Sequence, residues 1–311
     1  MTRRLLPLSI AFLGASVVIA VLAVARGWDS WTRIRTEAAA HDWVFDPVWL
    51  GAALVAGVAA MLMAASVWAR VFRQAGGAVA TSEAVAAWLG SNLGRYLPGK
   101  VWQLTWIAAY MRARGSSGAA GFAASLALQA VALATGAGVS AALIGRTAFD
   151  DLGLWGLAAA AVVVAGALHP AVLRGVIRVG ARLLGEPRPE GELTGRDLAV
   201  AAVGALLVWA LYGVGFWLLT RGVGSSPPVG PLDATAIFAG GYVLGYVVLI
   251  APGGLVVREG AIAALLGTVG GVPLGVAAGV AVLARVWTTL AELVAFGLAA
   301  VIGLRAAPKR R

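Results

Sequence analysis

This chain has no cysteine and only two histidines, and charged residues fill just 12 % of its 311 positions against 60 % for hydrophobic ones. Without cysteine there is no disulfide framework, no thiolate nucleophile and no cysteine-bound metal. His41 and His169 stand far apart, each near the end of an apolar segment, so no imidazole cluster is available for zinc or iron. The shortage of charge excludes more. A soluble fold of this size carries about twice that fraction of ionisable groups on its surface, whereas a surface facing lipid needs almost none. The sequence therefore reads as an integral membrane protein.

What is present agrees. Glycine occurs 42 times, and small residues let transmembrane backbones approach closely. The net charge of +10 comes from basic residues scattered singly and in pairs at the ends of apolar runs. There they engage the membrane surface and set topology, so a nucleic-acid partner is not expected. Six apolar runs are long enough to cross a hydrocarbon core: Leu5–Ala25, Val48–Trp68, Gly118–Ile144, Leu152–His169, Leu198–Leu219 and Gly275–Leu304. The first follows Arg3-Arg4 and has the look of a signal peptide, but its length favours a retained helix that starts on the cytoplasmic side.

Two further apolar regions are interrupted. Residues 85–110 contain Arg95-Tyr-Leu-Pro-Gly-Lys100, and residues 235–266 contain Ala251-Pro-Gly-Gly254 followed by Arg258-Glu259. Proline and glycine break the helical ladder, and the freed backbone must find partners in protein or water. Both regions are expected to be re-entrant helical hairpins. With that assignment fifteen basic residues fall on one side of the membrane and five on the other, which puts both termini in the cytoplasm and the chain in the cytoplasmic membrane. Trp28, Trp31, Trp43 and Trp49 fall in the first outer loop, as an interfacial aromatic belt would. The hairpins then enter from opposite faces, the pattern of an inverted repeat. The expected organisation is all-α and polytopic: an N-terminal half over 1–182, a polar cytoplasmic connector over 183–197, and a C-terminal half over 198–311.

Few ionisable groups remain at membrane depth: Arg95, Lys100, Arg258, Glu259, Arg285 and Glu292. Each is costly there unless it faces a cavity or a partner. Arg285, Thr288, Thr289 and Glu292 follow one another at helical spacing and form a polar stripe expected to point into the bundle. Ser125 and Gln129 make a similar i, i+4 pair. Arginine pairs with Glu292 could be purely structural, and Arg95 and Lys100 could snorkel to the interface. Against this, four cations face two acids, and an unpaired buried cation favours a visiting anion. Phosphate suits guanidinium groups and helix N-termini best. Tyr242 and Tyr246, also i, i+4, read as packing residues. No nucleophile–base pair, carboxylate pair, metal-ligand set or phosphate-binding glycine loop stands out, so neither an enzyme nor a cofactor is expected.

At these residues the chain resembles a known family. Gly94-Arg-Tyr-Leu-Pro-Gly-Lys-Val-Trp102, Ala251-Pro-Gly-Gly-Leu-Val-Val-Arg-Glu-Gly260 and Leu283-Ala-Arg-Val-Trp287 are similar to signatures of the transmembrane region of lysylphosphatidylglycerol synthases, also called flippase-like membrane proteins. The resemblance runs from about Trp49 to Leu304, and the second motif is its most specific part. It implies translocation of a phospholipid or polyprenyl-phosphate lipid between leaflets, with Arg95, Lys100, Arg258, Glu259 and Arg285 carried over by motif. No part of the sequence resembles the soluble aminoacyl-transferase domain of full-length synthases, so lipid lysylation is not implied. Gln129 stands where a glutamate is expected in many members, which puts proton coupling through that position in doubt.

The expected function is thus the flipping of an anionic lipid headgroup across the cytoplasmic membrane, with Arg258 and Arg285 holding phosphate, Arg95 and Lys100 receiving it, and Glu259 orienting the arginines. Glu292 and Gln129 complete the candidate site. The expected partner is a membrane lipid, with a homo-oligomer or a membrane enzyme as further possibilities. Two alternatives stand beside this: an accessory protein for a glycosyltransferase or lipid-modifying enzyme, and a secondary transporter of a small organic anion.

Overall fold

A computed structural model of the chain describes residues 28–92, 101–148, 166, 169–185, 187, 191–224, 229–247 and 256–306. Every regular element among them is an α-helix: α1 (Trp28–Ala39), α2 (Pro47–Gln74), α3 (Thr81–Asn92), α4 (Val101–Ala113), α5 (Gly118–Ala148), α6 (Pro170–Leu184), α7 (Gly195–Gly222), α8 (Pro231–Val247), α9 (Val257–Gly270) and α10 (Leu274–Ala306). Four of these are long and apolar enough to cross a membrane: α2, α5, α7 and α10. They coincide with four of the six runs read from the sequence. The other two runs, Leu5–Ala25 and Leu152–His169, lie outside the described residues apart from a few positions at the end of the second.

The outward faces identify the solvent. On α10, Val286, Leu290, Leu293, Val294, Leu298 and Val301 are all at least 41 % exposed, while Ala284, Trp287, Ala291, Ala295 and Ala299 are buried. Large aliphatic side chains face out, while alanines and one tryptophan face in, the reverse of a helix in a water-soluble bundle. Val203, Leu206 and Leu207 repeat the pattern on α7. A patch of this extent is stable only against lipid. The protein is therefore a helical membrane protein.

Small residues inside let the helices close up. α2 and α7 run antiparallel, with Gly204 against Val67, Gly215 beside Ala56 and Gly222 against Leu50. Gly57 of α2 meets Ala291 and Trp287 of α10, and a Cβ there would lie 3.0 Å from both side chains. Three buried tryptophans lock these contacts, and each indole N–H has an acceptor: Trp68 donates to Ser125 Oγ at 3.0 Å, Trp209 to Thr135 Oγ1 at 3.1 Å and Trp287 to the Ala53 carbonyl at 2.8 Å. A buried indole without an acceptor would cost its desolvation, so these bonds fix register as well as packing.

Helix ends follow local rules. Asp46 caps α2, its carboxylate accepting from the Val48 N–H at 2.8 Å, and Pro47 starts the helix. Thr194 and Asp197 form a capping box at α7. Between α1 and α10, Glu37 Oε2 accepts from the Gly275 N–H at 2.7 Å, placing a carboxylate at the positive end of the long helix.

One part of the expected first outer loop is different. Residues Trp28–Ala39 form a helix docked on α10. The Trp43 ring packs over Gly279, and its N–H donates to the Ala38 carbonyl at 2.9 Å. Trp43 thus holds α1 in place, whereas Trp49 is 38 % exposed with its ring edge-on to Trp217.

Each interrupted region is a pair of packed short helices. The first comprises α3 and α4, with 12 and 13 residues, and the second α8 and α9, with 17 and 14. At ~1.5 Å per residue none of the four reaches across a core of about 30 Å. The joining segments, 93–100 and 248–255, lie outside the described residues.

Candidate functional site

α2, α5, α7 and α10 together with both short pairs surround a cavity of about 170 Å³. The arginine on its α9 side is held by backbone proximity. Gly241 and Gly245 of α8 lie one turn apart and face Ile262 and Arg258 of α9, also one turn apart. A Cβ on Gly245 would sit 2.6 Å from the Arg258 Cβ and 3.0 Å from its Cα, so only glycine allows the approach. This is the small-xxx-small device of membrane helices. Val256, just before α9, has φ 71°, a left-handed conformation that a β-branched residue adopts only under strain. It sits two residues from Arg258.

Arg258 is 9 % exposed, with its guanidinium 4.9 Å from the Phe238 ring centre and 5.7 Å from that of Tyr242. The rings supply cation–π attraction but no counter-charge. Arg258 has no salt bridge among the described residues, where the ion pairs are Arg114–Glu83 and Arg285–Glu259. Arg285 reaches Glu259 at 3.5 Å, and both are largely buried. Glu259 thus binds Arg285 from outside the cavity lining, while Arg285 itself lines it.

The expected stripe on α10 is present in part. Arg285, Thr288 and Glu292 line the cavity, and Glu292 is only 2 % exposed. Thr288 is internally engaged, donating to the Ala284 and Arg285 carbonyls of its own helix at 3.0 Å each. Thr289 is half-buried and off the lining. On α5 the Ser125–Gln129 pair divides its work. Ser125 accepts from Trp68 and donates to the Gly121 carbonyl at 2.9 Å. The Gln129 amide nitrogen is buried on the lining with no hydrogen-bond acceptor among the described residues. An unused buried donor costs about 1–3 kcal/mol. Arg95 and Lys100 lie outside the described residues.

Several lining residues were not read from the sequence. Asn92 and Gln103 flank the first interruption, and the Gln103 amide donates to the Asn92 carbonyl oxygen, joining α3 to α4. Two amides beside an Arg-x-x-Pro-Gly-Lys segment were the available signal. Tyr242 and Tyr246 stack at 6.2 Å and both line the cavity, although their spacing alone read as packing. Tyr212 and Trp209 complete an aromatic wall. Among the described residues no group of three or more His, Asp or Glu comes together as a metal site.

The site is a mostly apolar cavity with convergent charged and amide groups, the general form of a ligand pocket. Comparison with protein-family models and with curated proteins finds no match for this chain. What can be stated of its class is a helical membrane protein with a mostly apolar, arginine-bearing cavity inside the bundle.

Proposed function

We propose that this protein moves an anionic lipid headgroup, on a phospholipid or a polyprenyl phosphate, across the cytoplasmic membrane, and that it acts as a transporter rather than an enzyme. The observation that carries the reading is Arg258: a buried guanidinium on the cavity wall, backed by two aromatic rings and lacking a salt bridge among the described residues. A buried cation without a salt-bridge partner among the described residues is stabilised by an anion, and phosphate offers arginine bidentate bonds. Arg285, oriented by Glu259, is the second phosphate ligand. The Gln129 amide, without an acceptor among the described residues, supplies a neutral donor for headgroup oxygens. Arg95 and Lys100 receive the headgroup from the inner leaflet.

In this reading the two short pairs are re-entrant hairpins entering from opposite faces, with six spans around them. Their length supports it, since at ~18–26 Å each of the four helices is shorter than the core it would have to cross. Charge supports the orientation. Arg70, Arg73, Arg112, Arg114 and Arg196 gather where α2 and α4 end and α7 begins, and that end is cytoplasmic. The lipid tails stay in the bilayer while the head crosses.

The test is lipid scrambling in liposomes holding the purified protein, comparing an anionic with a zwitterionic phospholipid and wild type with Arg258→Ala. Protein-dependent movement of the anionic lipid, lost in the variant, is the expected result. Equal transport by Arg258→Ala sinks the site assignment. Movement of neither lipid by wild type turns the assignment towards an accessory role beside a membrane enzyme.

A further inference from the structure

Helix α6 (Pro170–Leu184) is the most sharply two-faced of the described helices, and it takes no part in the cavity. Its arginines Arg174, Arg178 and Arg182 follow at i, i+4 and i+8, so at ~100° per residue they form one stripe about 80° wide. All three are exposed, and they take part in neither of the described ion pairs. Val172 and Val179, seven positions apart, stack on a second line about 110° away and are 51 % and 54 % exposed. Ile177, on a third line, is 7 % exposed and belongs to the core cluster containing Val71, Phe72 and Leu198. The helix thus has one face on the protein, one apolar face open and one cationic face between them.

Its place in the fold gives these faces their surroundings. The connection after α6 is tied to the end of α2, where the Gly191 N–H donates to the Ala75 carbonyl at 3.1 Å. That is the end carrying Arg70, Arg73 and Arg196. A helix of this design at the end of a membrane bundle lies in the interface plane, with its valines at the acyl boundary and its arginines among headgroups.

We propose that α6 is an interfacial helix whose Arg174–Arg178–Arg182 stripe binds the headgroups of anionic phospholipids and enriches them beside the bundle. The stripe and the open valine line together make these arginines a binding surface. Three guanidinium groups at a spacing of one turn each match phosphate oxygens of neighbouring lipids, and a zwitterionic surface offers no net charge to hold them. This site is separate from the cavity and does not depend on transport.

The absence of native cysteine makes the test direct. Full-length protein with Val179→Cys, labelled with an environment-sensitive fluorophore, is reconstituted in phosphatidylcholine vesicles containing a little phosphatidylglycerol. Headgroup-proximal spin-labelled phosphatidylglycerol or spin-labelled phosphatidylcholine is then added as quencher. The label should be quenched by both, and by the anionic analogue at least about twofold more. High salt, or the triple variant R174Q/R178Q/R182Q, should bring the two analogues level. Equal quenching at low salt with the arginines in place overturns the selectivity, and a label reached only by aqueous iodide overturns the interfacial placement. The salt arm needs no variant, so misfolding of the triple substitution does not shield the proposal.

Discussion

The two short helical pairs solve the same problem by different means. In α8–α9 the backbones touch: Gly241 and Gly245 admit Ile262 and Arg258 at distances no side chain would allow. In α3–α4 the helices are linked through side chains, the Gln103 amide donating to buried Asn92. A glycine contact is rigid, because any displacement opens a gap or closes on a Cβ. An amide bond between side chains tolerates more relative movement, since rotamers absorb it. The second pair is therefore the fixed wall of the cavity, with its arginine held in one place, and the first is the more adjustable one.

That contrast orders the expected effects of substitution. The largest is on transport by Arg258→Ala, which removes the guanidinium but leaves the glycine contact. The loss of charge-assisted bonds of ~1.5–3 kcal/mol corresponds to a fall of about tenfold to over a hundredfold in anionic-lipid scrambling. Thermal stability in detergent should hardly drop, because removing a buried cation also removes its desolvation cost. Gly245→Val comes next. Overpacking costs about 1–3 kcal/mol and displaces Arg258, so a lowered melting temperature and reduced scrambling should appear together. A Gly245→Val protein with normal stability and transport would show that the contact is not rigid.

Gln103→Leu removes the amide hydrogen bond to buried Asn92 that joins the first pair. The expected cost is ~1–2 kcal/mol, read as a lower denaturation midpoint, with a smaller loss of transport than Gly245→Val produces. The reverse order would make the first pair the rigid wall. The smallest effect belongs to the outward face of α10. Leu290→Ala exchanges one lipid-facing apolar side chain for another and should shift stability by no more than ~0.5 kcal/mol. A loss like that of a core leucine would mean that Leu290 is covered by another chain.

Composition and run length were enough to indicate a membrane protein and to place α2, α5, α7 and α10 within a few residues, because a lipid core demands a minimum apolar length. The proline and glycine interruptions marked both short pairs, because a broken ladder cannot cross lipid unaided. Arg258, Arg285, Glu292 and Gln129 were legible as candidates because polar groups at membrane depth are rare and costly. Their neighbours were not. Tyr242, Tyr246, Trp209 and Tyr212 resemble ordinary packing residues until the helices that carry them surround one space. Helix α1 was also hidden, because its short, polar stretch carries no span signal and its docking depends on Glu37 meeting Gly275 across most of the chain.

The sequence alone thus determined the solvent, the long helices and which charges had to be accounted for, since each follows from the local cost of placing a residue type in lipid. Tertiary structure alone decided which arginine forms the ion pair with Glu259. Glu259 could have served its neighbour Arg258 or the distant Arg285, and it reaches Arg285 because the glycines of α8 bring α9 in at one angle. That choice rests on a backbone contact between helices, and no local pattern of residues encodes it.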